Sequence, residues 1–255
     1  MSKNAPRYFE INEQGHNIRC KLYCQDPRAI RSAVIFCHGF GGHKDNSAAE
    51  KFALKLMAKH KSAALITFNW PCHGDDVKKK LTITDCDTYL TLLLEYVKTR
   101  FAPEVLCCYA TSFGGYLALK YIYEHGNPFH RVALRCPAVD MHRVLSSAII
   151  TPEELEKLSR GKDVLVGFDR KVPVSAAFLE ELRSFDLREK DLLDYAEDLL
   201  IIHGTADEIV SYEDAYSFSD DKLIEFVPIE GADHRFRNPL LMDLAIKAIL
   251  EFFAL

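Results

Sequence analysis

Short apolar runs alternate with longer amphipathic stretches along almost the whole chain. Runs at 33–37, 63–68, 105–109, 132–136, 199–202 and 223–227 each have the length of a buried strand. Between them, apolar residues recur at helical spacing. Ala49, Phe52, Ala53, Leu56 and Met57 make one stripe; Ile83, Cys86, Leu90, Leu93, Leu94 and Val97 make a longer one. Tyr116, Leu117, Leu119, Lys120 and Tyr123 follow the pair Gly114 and Gly115, and residues 240–253 form a last apolar helix. Near the N-terminus, β-rich segments at 8–12 and 17–24 flank the turn-forming residues 13–16 and predict a hairpin. Strand alternating with helix predicts an α/β fold, in which a mostly parallel twisted sheet carries helices on both faces.

One stretch breaks this rhythm. Residues 137–195 separate two buried strands by more chain than a plain crossover needs. A cap signal at Thr151, Pro152, Glu153 and Glu154 starts a helix there. Residues 163–174 then read as a short hairpin, and Pro173, Val174 and Ser175 lead into a second helix at 176–183. The expected organisation is a core made of residues 1–136 and 196–255, with 137–195 inserted as a small lid or cap subdomain.

Composition narrows the class. The 255 residues are 48% hydrophobic and 27% charged, which supports a packed core and argues against general disorder. Thirty-two Lys and Arg stand against 37 Asp and Glu, a net charge of −5. That balance argues against a nucleic-acid partner, which would call for a basic face. No apolar run reaches the length of a membrane span. The first ten residues carry no apolar stretch of the kind a secretory leader has, so the expected location is cytoplasmic. The eight cysteines show no Cys-x-x-Cys spacing and read as reduced, mostly buried small hydrophobes.

Candidate chemistry concentrates where strands end. The strand at 105–109 runs through Ala110 and Thr111 into Ser112, Phe113, Gly114 and Gly115, and a helix follows. A serine on such a sharp strand-to-helix turn is held with its Oγ exposed above the sheet, and small neighbours let strand and helix approach. The usual pattern is Gly-x-Ser-x-Gly; Ala110 fills its first position here. The helix N-terminus favours negative charge developing at the same spot. An ordinary helix-capping serine is the alternative reading. Acyl transfer also needs donors for an oxyanion. One is expected from the Phe113 N–H and a second from the Phe40 N–H in the Gly-rich turn Gly39, Phe40, Gly41, Gly42 after an earlier strand. A phosphate cradle there would need a motif that is absent.

A general base and its orienting acid should follow the later strands. His234 lies in a loop after the strand at 223–227, whereas His38 and His203 directly precede glycines at strand ends and read as turn-shaping. Asp207 lies beyond the strand at 199–202, with Glu208 and Asp233 as competitors. Adjacency to His234 makes ring-orienting geometry awkward for Asp233. The resulting order, Ser112, Asp207, His234, is the Ser, Asp/Glu, His order of α/β-hydrolases.

With these residues in place, the chain resembles α/β-hydrolase-fold serine esterases, and most of all the bacterial cinnamoyl or feruloyl esterase group. The likeness is carried by the segments starting at His38 (His-Gly-Phe-Gly-Gly-His-Lys), His73 (His-Gly-Asp), Ser112 (Ser-Phe-Gly-Gly), His203 (His-Gly-Thr-Ala-Asp) and Gly231 (Gly-Ala-Asp-His). The chain departs from the group at Ala110 and at Asp76, where the group often has Ser. The resemblance implies Ser112 as nucleophile, His234 as base, Asp207 as acid, and Phe40 and Phe113 as oxyanion donors. It also implies hydrolysis of small carboxylic esters, aryl or hydroxycinnamoyl esters among them, with no metal or organic cofactor. A monoacylglycerol lipase, a peptidase or an acyltransferase on the same triad stays open, as does a non-catalytic binding protein of this fold. The expected partner is a small-molecule ester, with no nucleic acid and no membrane; the oligomeric state is left open, a homodimer included. Met141, Leu145, Ile149, Ile150, Phe168, Phe178 and Leu182 of the insertion either wall an acyl pocket or pack among themselves.

Overall fold

In a computed structural model that describes residues 5–168 and 170–255, the chain builds an eight-stranded sheet. The strands are β1 (Arg7–Glu13), β2 (His16–Tyr23), β3 (Ser32–Cys37), β4 (Ala63–Phe68), β5 (Val105–Thr111), β6 (Arg131–Arg135), β9 (Leu199–Gly204) and β10 (Glu225–Ile229). Their spatial order is β1-β2-β4-β3-β5-β6-β9-β10. The predicted hairpin is β1 paired antiparallel with β2, and β2 in turn pairs antiparallel with β4. From β4 to β10 every pairing is parallel. The mostly parallel α/β fold predicted from the alternation is the one observed.

Helices cover both faces because the central strands are apolar on both. Helix α1 (Ser47–Lys59) buries the predicted stripe Ala49, Phe52, Ala53, Leu56 and Met57, and shares one face with α8 (Pro239–Phe253). Helices α2 (Ile83–Arg100), α3 (Phe113–His125) and α7 (Tyr212–Asp221) cover the other. Asn46 and Thr82 cap α1 and α2 through their side chains, each accepting an N–H from the first turn. The chain runs from β3 through α1 to β4 on one side, then returns through α2 to β5 on the other. That reversal opens a crevice at the carboxyl ends of β3 and β5, the place where open α/β sheets bind ligands.

The segment between β6 and β9 holds α4 (Met141–Val144), a π-helical turn (Leu145–Ile149), α5 (Pro152–Ser159), the hairpin β7 (Val164–Val166) and β8 (Val172–Val174), and α6 (Ala176–Arg183). The Thr151 cap signal is a full capping box with Glu154. Five of the seven apolar residues singled out in this segment, Met141, Leu145, Ile150, Phe178 and Leu182, are buried in the core. Phe168 is 49% exposed.

One expectation shifts. The run at 223–227 becomes a strand only from Glu225, and Leu223 is 77% exposed. Leu223 takes φ +56° and donates its N–H to Asp220, while Ile224 donates to Ser219, so these two residues close α7 instead of starting β10. Helix α7 itself carries no strong apolar stripe; its readable signal is Ser211, whose side chain accepts the Asp214 N–H. All eight cysteines are free thiols, seven of them buried and Cys72 half-buried. No helix among the described residues is long and apolar enough to cross a membrane.

Candidate active site

Ser112 sits between β5 and α3 with φ +51° and ψ −118°, a conformation that L-residues avoid. Its backbone is held on all sides: its N–H donates to Arg135, and its carbonyl accepts from Tyr116 and Ala138. Close packing enforces the small neighbours. A Cβ on Gly114 would lie 2.2 Å from the Cys37 carbonyl oxygen, and one on Gly39 would lie 3.1 Å from the Ser112 Cβ. Ala110 is fully buried in register with Cys37, so its methyl fits between strands at the start of the turn. The Ser112 side chain makes no helix-capping hydrogen bond.

Phe113 is the first residue of α3, and its N–H belongs to the helix-end donors that have no intrahelical acceptor. Phe40 stands in the turn after β3. The two rings meet edge to face at 5.8 Å, and the His73 ring contacts both. This aromatic set ties the Gly39–Gly42 turn to the start of α3. Behind it, His38 Nδ1–H donates to the Gly39 carbonyl at 2.8 Å, and His38 Nε2 accepts the Trp70 N–H at 3.3 Å. His73 Nδ1–H donates to the Pro71 carbonyl. Burial drives both imidazoles towards the neutral form, that of His73 down to about 4. Asp76, the departure from the esterase pattern, accepts the Cys72 and Lys78 N–H groups and the Tyr89 hydroxyl, a loop-bracing arrangement.

The loops after β9 and β10 bring Asp207 to His234. Asp207 Oδ2 accepts His234 Nδ1–H at 2.8 Å, while Oδ1 accepts the N–H groups of Ile209 and Val210. The Asp207 side chain is shielded from solvent and that of His234 is 12% exposed. Burial alone would raise the Asp207 carboxyl, but hydrogen bonds from His203 and His234 outweigh it and hold the group far below the usual carboxylate range. Fixing Nδ1 as the donor leaves Nε2 as the ring nitrogen able to take a proton. The competitors are spent elsewhere. Glu208 accepts the His234 backbone N–H, and Asp233 accepts the Arg237 N–H and pairs with its guanidinium.

Two supporting residues escaped the sequence reading. His203 Nε2 lies 3.2 Å from Asp207 Oδ2 and 3.2 Å from the Val210 carbonyl, so a second imidazole donates to the same carboxylate. Its four-residue spacing to Asp207 across a tight turn was the available signal. Arg135 stood inside an apolar run, and a buried charge there demands a partner. It donates to the Tyr109 hydroxyl and to the His234 carbonyl, both at 3.1 Å, with Phe236 stacked on its guanidinium.

Ser112 and His234 line one cavity of about 420 Å³. The Gly39–Gly42 turn forms one wall, and Ile149, Phe168 and Arg170 of the insertion form another. Among the described residues, Cys136, His203 and Asp207 are close enough to share a metal ion. They fit one poorly, because the carboxylate is filled with N–H donors and burial keeps the Cys136 thiol protonated.

Known structures share this architecture. Est1E from Butyrivibrio proteoclasticus, solved with ferulic acid bound, is 19% identical, with TM-score 0.77 over 97% of this chain and 100% of that one. Mouse alpha/beta hydrolase domain-containing protein 10 is 15% identical, with TM-score 0.72 over 97% and 98%. A soluble variant of monoglyceride lipase from Saccharomyces cerevisiae is also 15% identical, with TM-score 0.72 over 97% and 94%. No curated protein matches the sequence. Likeness at this level assigns the α/β-hydrolase fold. The model of the prolyl oligopeptidase family matches residues 69–254, a stretch that runs from the end of β4 into the last residues of the chain and spans Ser112, Asp207 and His234. By that match over most of its length, the chain belongs to the prolyl oligopeptidase family.

Proposed function

We propose that the protein is a serine carboxylesterase acting on small carboxylic esters. One observation carries the reading: a buried carboxylate fixes the tautomer of an imidazole that lines the same cavity as a serine held at positive φ. In this reading Ser112 Oγ attacks the ester carbonyl and His234 Nε2 takes the hydroxyl proton. The N–H groups of Phe40 and Phe113 receive the oxyanion. As the tetrahedral intermediate collapses, His234 returns its proton to the departing alkoxide and an acyl-enzyme remains on Ser112. Water repeats the sequence: His234 takes its proton, hydroxide adds to the acyl carbonyl, and the acid leaves as Ser112 regains its hydrogen. Asp207 stabilises the imidazolium formed in each half, and the Arg135 contact to the His234 carbonyl holds the loop in position.

Support for esters comes from the cavity's modest volume and from structural relatives described as an esterase, from Pyrococcus furiosus, and a lipase. Peptide-bond cleavage is the second reading, favoured by the family match. Hydrolysis of p-nitrophenyl butyrate beside an aminoacyl p-nitroanilide separates the two. Ser112→Ala is expected to lower ester turnover by about three to six decades. Unchanged turnover in that variant would overturn the proposal, and faster amide than ester cleavage would select the second reading.

A further inference from the structure

The charge lining the cavity runs against the charge of the chain. The protein carries −5 overall, yet among the described residues the cavity wall holds His43, Arg135, Arg170, His234 and Arg235 and no carboxylate side chain. The guanidinium groups are not equivalent. Arg135 is buried and saturated by Tyr109, His234 and Phe236. Arg235 stacks on Phe168 and has a partner of its own. Arg170 is exposed, and among the described residues its guanidinium has no hydrogen-bond or ion-pair partner.

Arg170 is also well placed. It precedes β8 at the tip of the inserted hairpin, and its carbonyl oxygen would lie 3.3 Å from a Cβ on Gly41, so the tip rests directly on the turn that carries Phe40. The charge of Arg170, after burial, is what pushes the His43 imidazole below its ordinary value, which sets the guanidinium's field at this wall. A cavity lined by a proposed acyl-transfer serine and by a guanidinium that is unpaired among the described residues suits a substrate with two handles. A planar guanidinium takes both oxygens of a carboxylate at once.

Resting on the esterase reading above, we infer that the substrate is an ester that also bears a free carboxylate, received by Arg170. Two matched pairs test it: p-nitrophenyl hydrogen adipate against p-nitrophenyl hexanoate, and 3-(butyryloxy)benzoate against its methyl ester. The first pair places the charge in the acyl part and the second in the leaving group. Expected is a preference of about tenfold or more in kcat/KM for the anionic member of one pair, expressed mainly in KM. Arg170→Gln should bring that ratio to near one, Arg170→Lys should restore part of it, and Arg170→Glu should invert it. Added salt should narrow it. Ser112-dependent cleavage with no anionic preference in either pair, or a preference untouched by Arg170→Gln, overturns this inference and leaves the esterase reading standing. Absence of Ser112-dependent turnover on all four compounds overturns both.

Discussion

The carboxyl edge of the sheet and the tip of the inserted hairpin face each other across one cavity and are built on opposite principles. At the sheet edge, the polar side chains are largely shielded from solvent and most of their hydrogen-bonding groups are committed. Asp207 accepts four hydrogen bonds, His38 uses both ring nitrogens, and Ser112 is pinned through its backbone. At the tip, Phe168 and Arg170 stand in solvent and Leu165 of β7 is exposed as well. A committed network tolerates little change because each loss strands a buried donor or acceptor. An exposed tip can vary at small cost to folding. The division predicts that chemistry resides in the first region and substrate choice in the second.

The sharpest way to break that division is Asp207→Asn. An amide can keep its oxygen towards the Ile209 and Val210 N–H groups, but its NH₂ then faces two imidazole nitrogens that now donate to Oδ2. His234 must take the other tautomer, which places its proton on Nε2 and removes the proposed base. Ester turnover should fall by roughly three to four decades while the protein stays folded. Near-normal turnover in folded Asp207→Asn protein would show that the buried carboxylate does not orient the imidazole.

The insertion is itself divided, and Phe178→Ala exposes the seam. Phe178 belongs to α6, yet it is fully buried and its ring meets Phe113 edge to face at 6.3 Å. The root of the insertion is therefore part of the core under Ser112. Removing the ring should cost about 3–5 kcal/mol in a denaturant titration. A cost below about 1 kcal/mol would mean that the whole insertion is peripheral.

A pH titration of stability separates the buried network from the tip without any mutation in the cavity. His73 is fully buried and neutral in the folded protein, with its value lowered to about 4, whereas in the unfolded chain it titrates near 6.5. Between those values the unfolded state binds the extra proton, so stability is full above about pH 6.5 and falls as the pH drops towards 4. The expected loss from this group is roughly 3 kcal/mol, and His38 adds to it in the same direction. Asp207 contributes little in that window, because its unfolded carboxyl begins to take a proton only near pH 4 and its folded one at still lower pH, so its share of stability is lost below the window. Thermal melts across this range should flatten in His73→Asn, whose amide can still donate to Pro71. A wild-type profile already flat from pH 7 to 4.5 would contradict the buried-neutral assignment.

How much was legible in the sequence follows the same division. Strands β3, β4, β5 and β9 and the stripes of α1 and α2 were readable because burial on two faces, or on one helical face, leaves a regular apolar pattern. The strand-end turns also set the order of Ser112, Asp207 and His234 along the chain, and the structure brings Asp207 to His234 and puts Ser112 and His234 on one cavity. What stayed hidden depends on contacts between distant segments. Arg135 reads as an interruption of a strand until Tyr109 and the His234 carbonyl are seen beside it. Leu223 looks like the first residue of a strand, because nothing local reveals that a bulky residue will take the left-handed position that ends α7. The apolar residues of the insertion could equally wall a pocket or fill a core, and only packing sorts Ile149 and Phe168 from the five that are buried.

The smallest expected effect is the most discriminating for the tip. Phe168→Ala removes a half-exposed ring that lines the cavity and stacks under Arg235. Little burial is lost on folding, so stability should change by no more than about 0.5 kcal/mol. In the substrate-bound state the same ring would cover an acyl chain, and its loss should raise KM for a hexanoate ester by roughly three- to tenfold relative to an acetate ester. With kcat held and KM moved, the tip acts by contact with substrate. A fall in melting temperature like that of Phe178→Ala would instead make the tip a load-carrying part of the fold, and the separation between a fixed edge and a variable wall would fail.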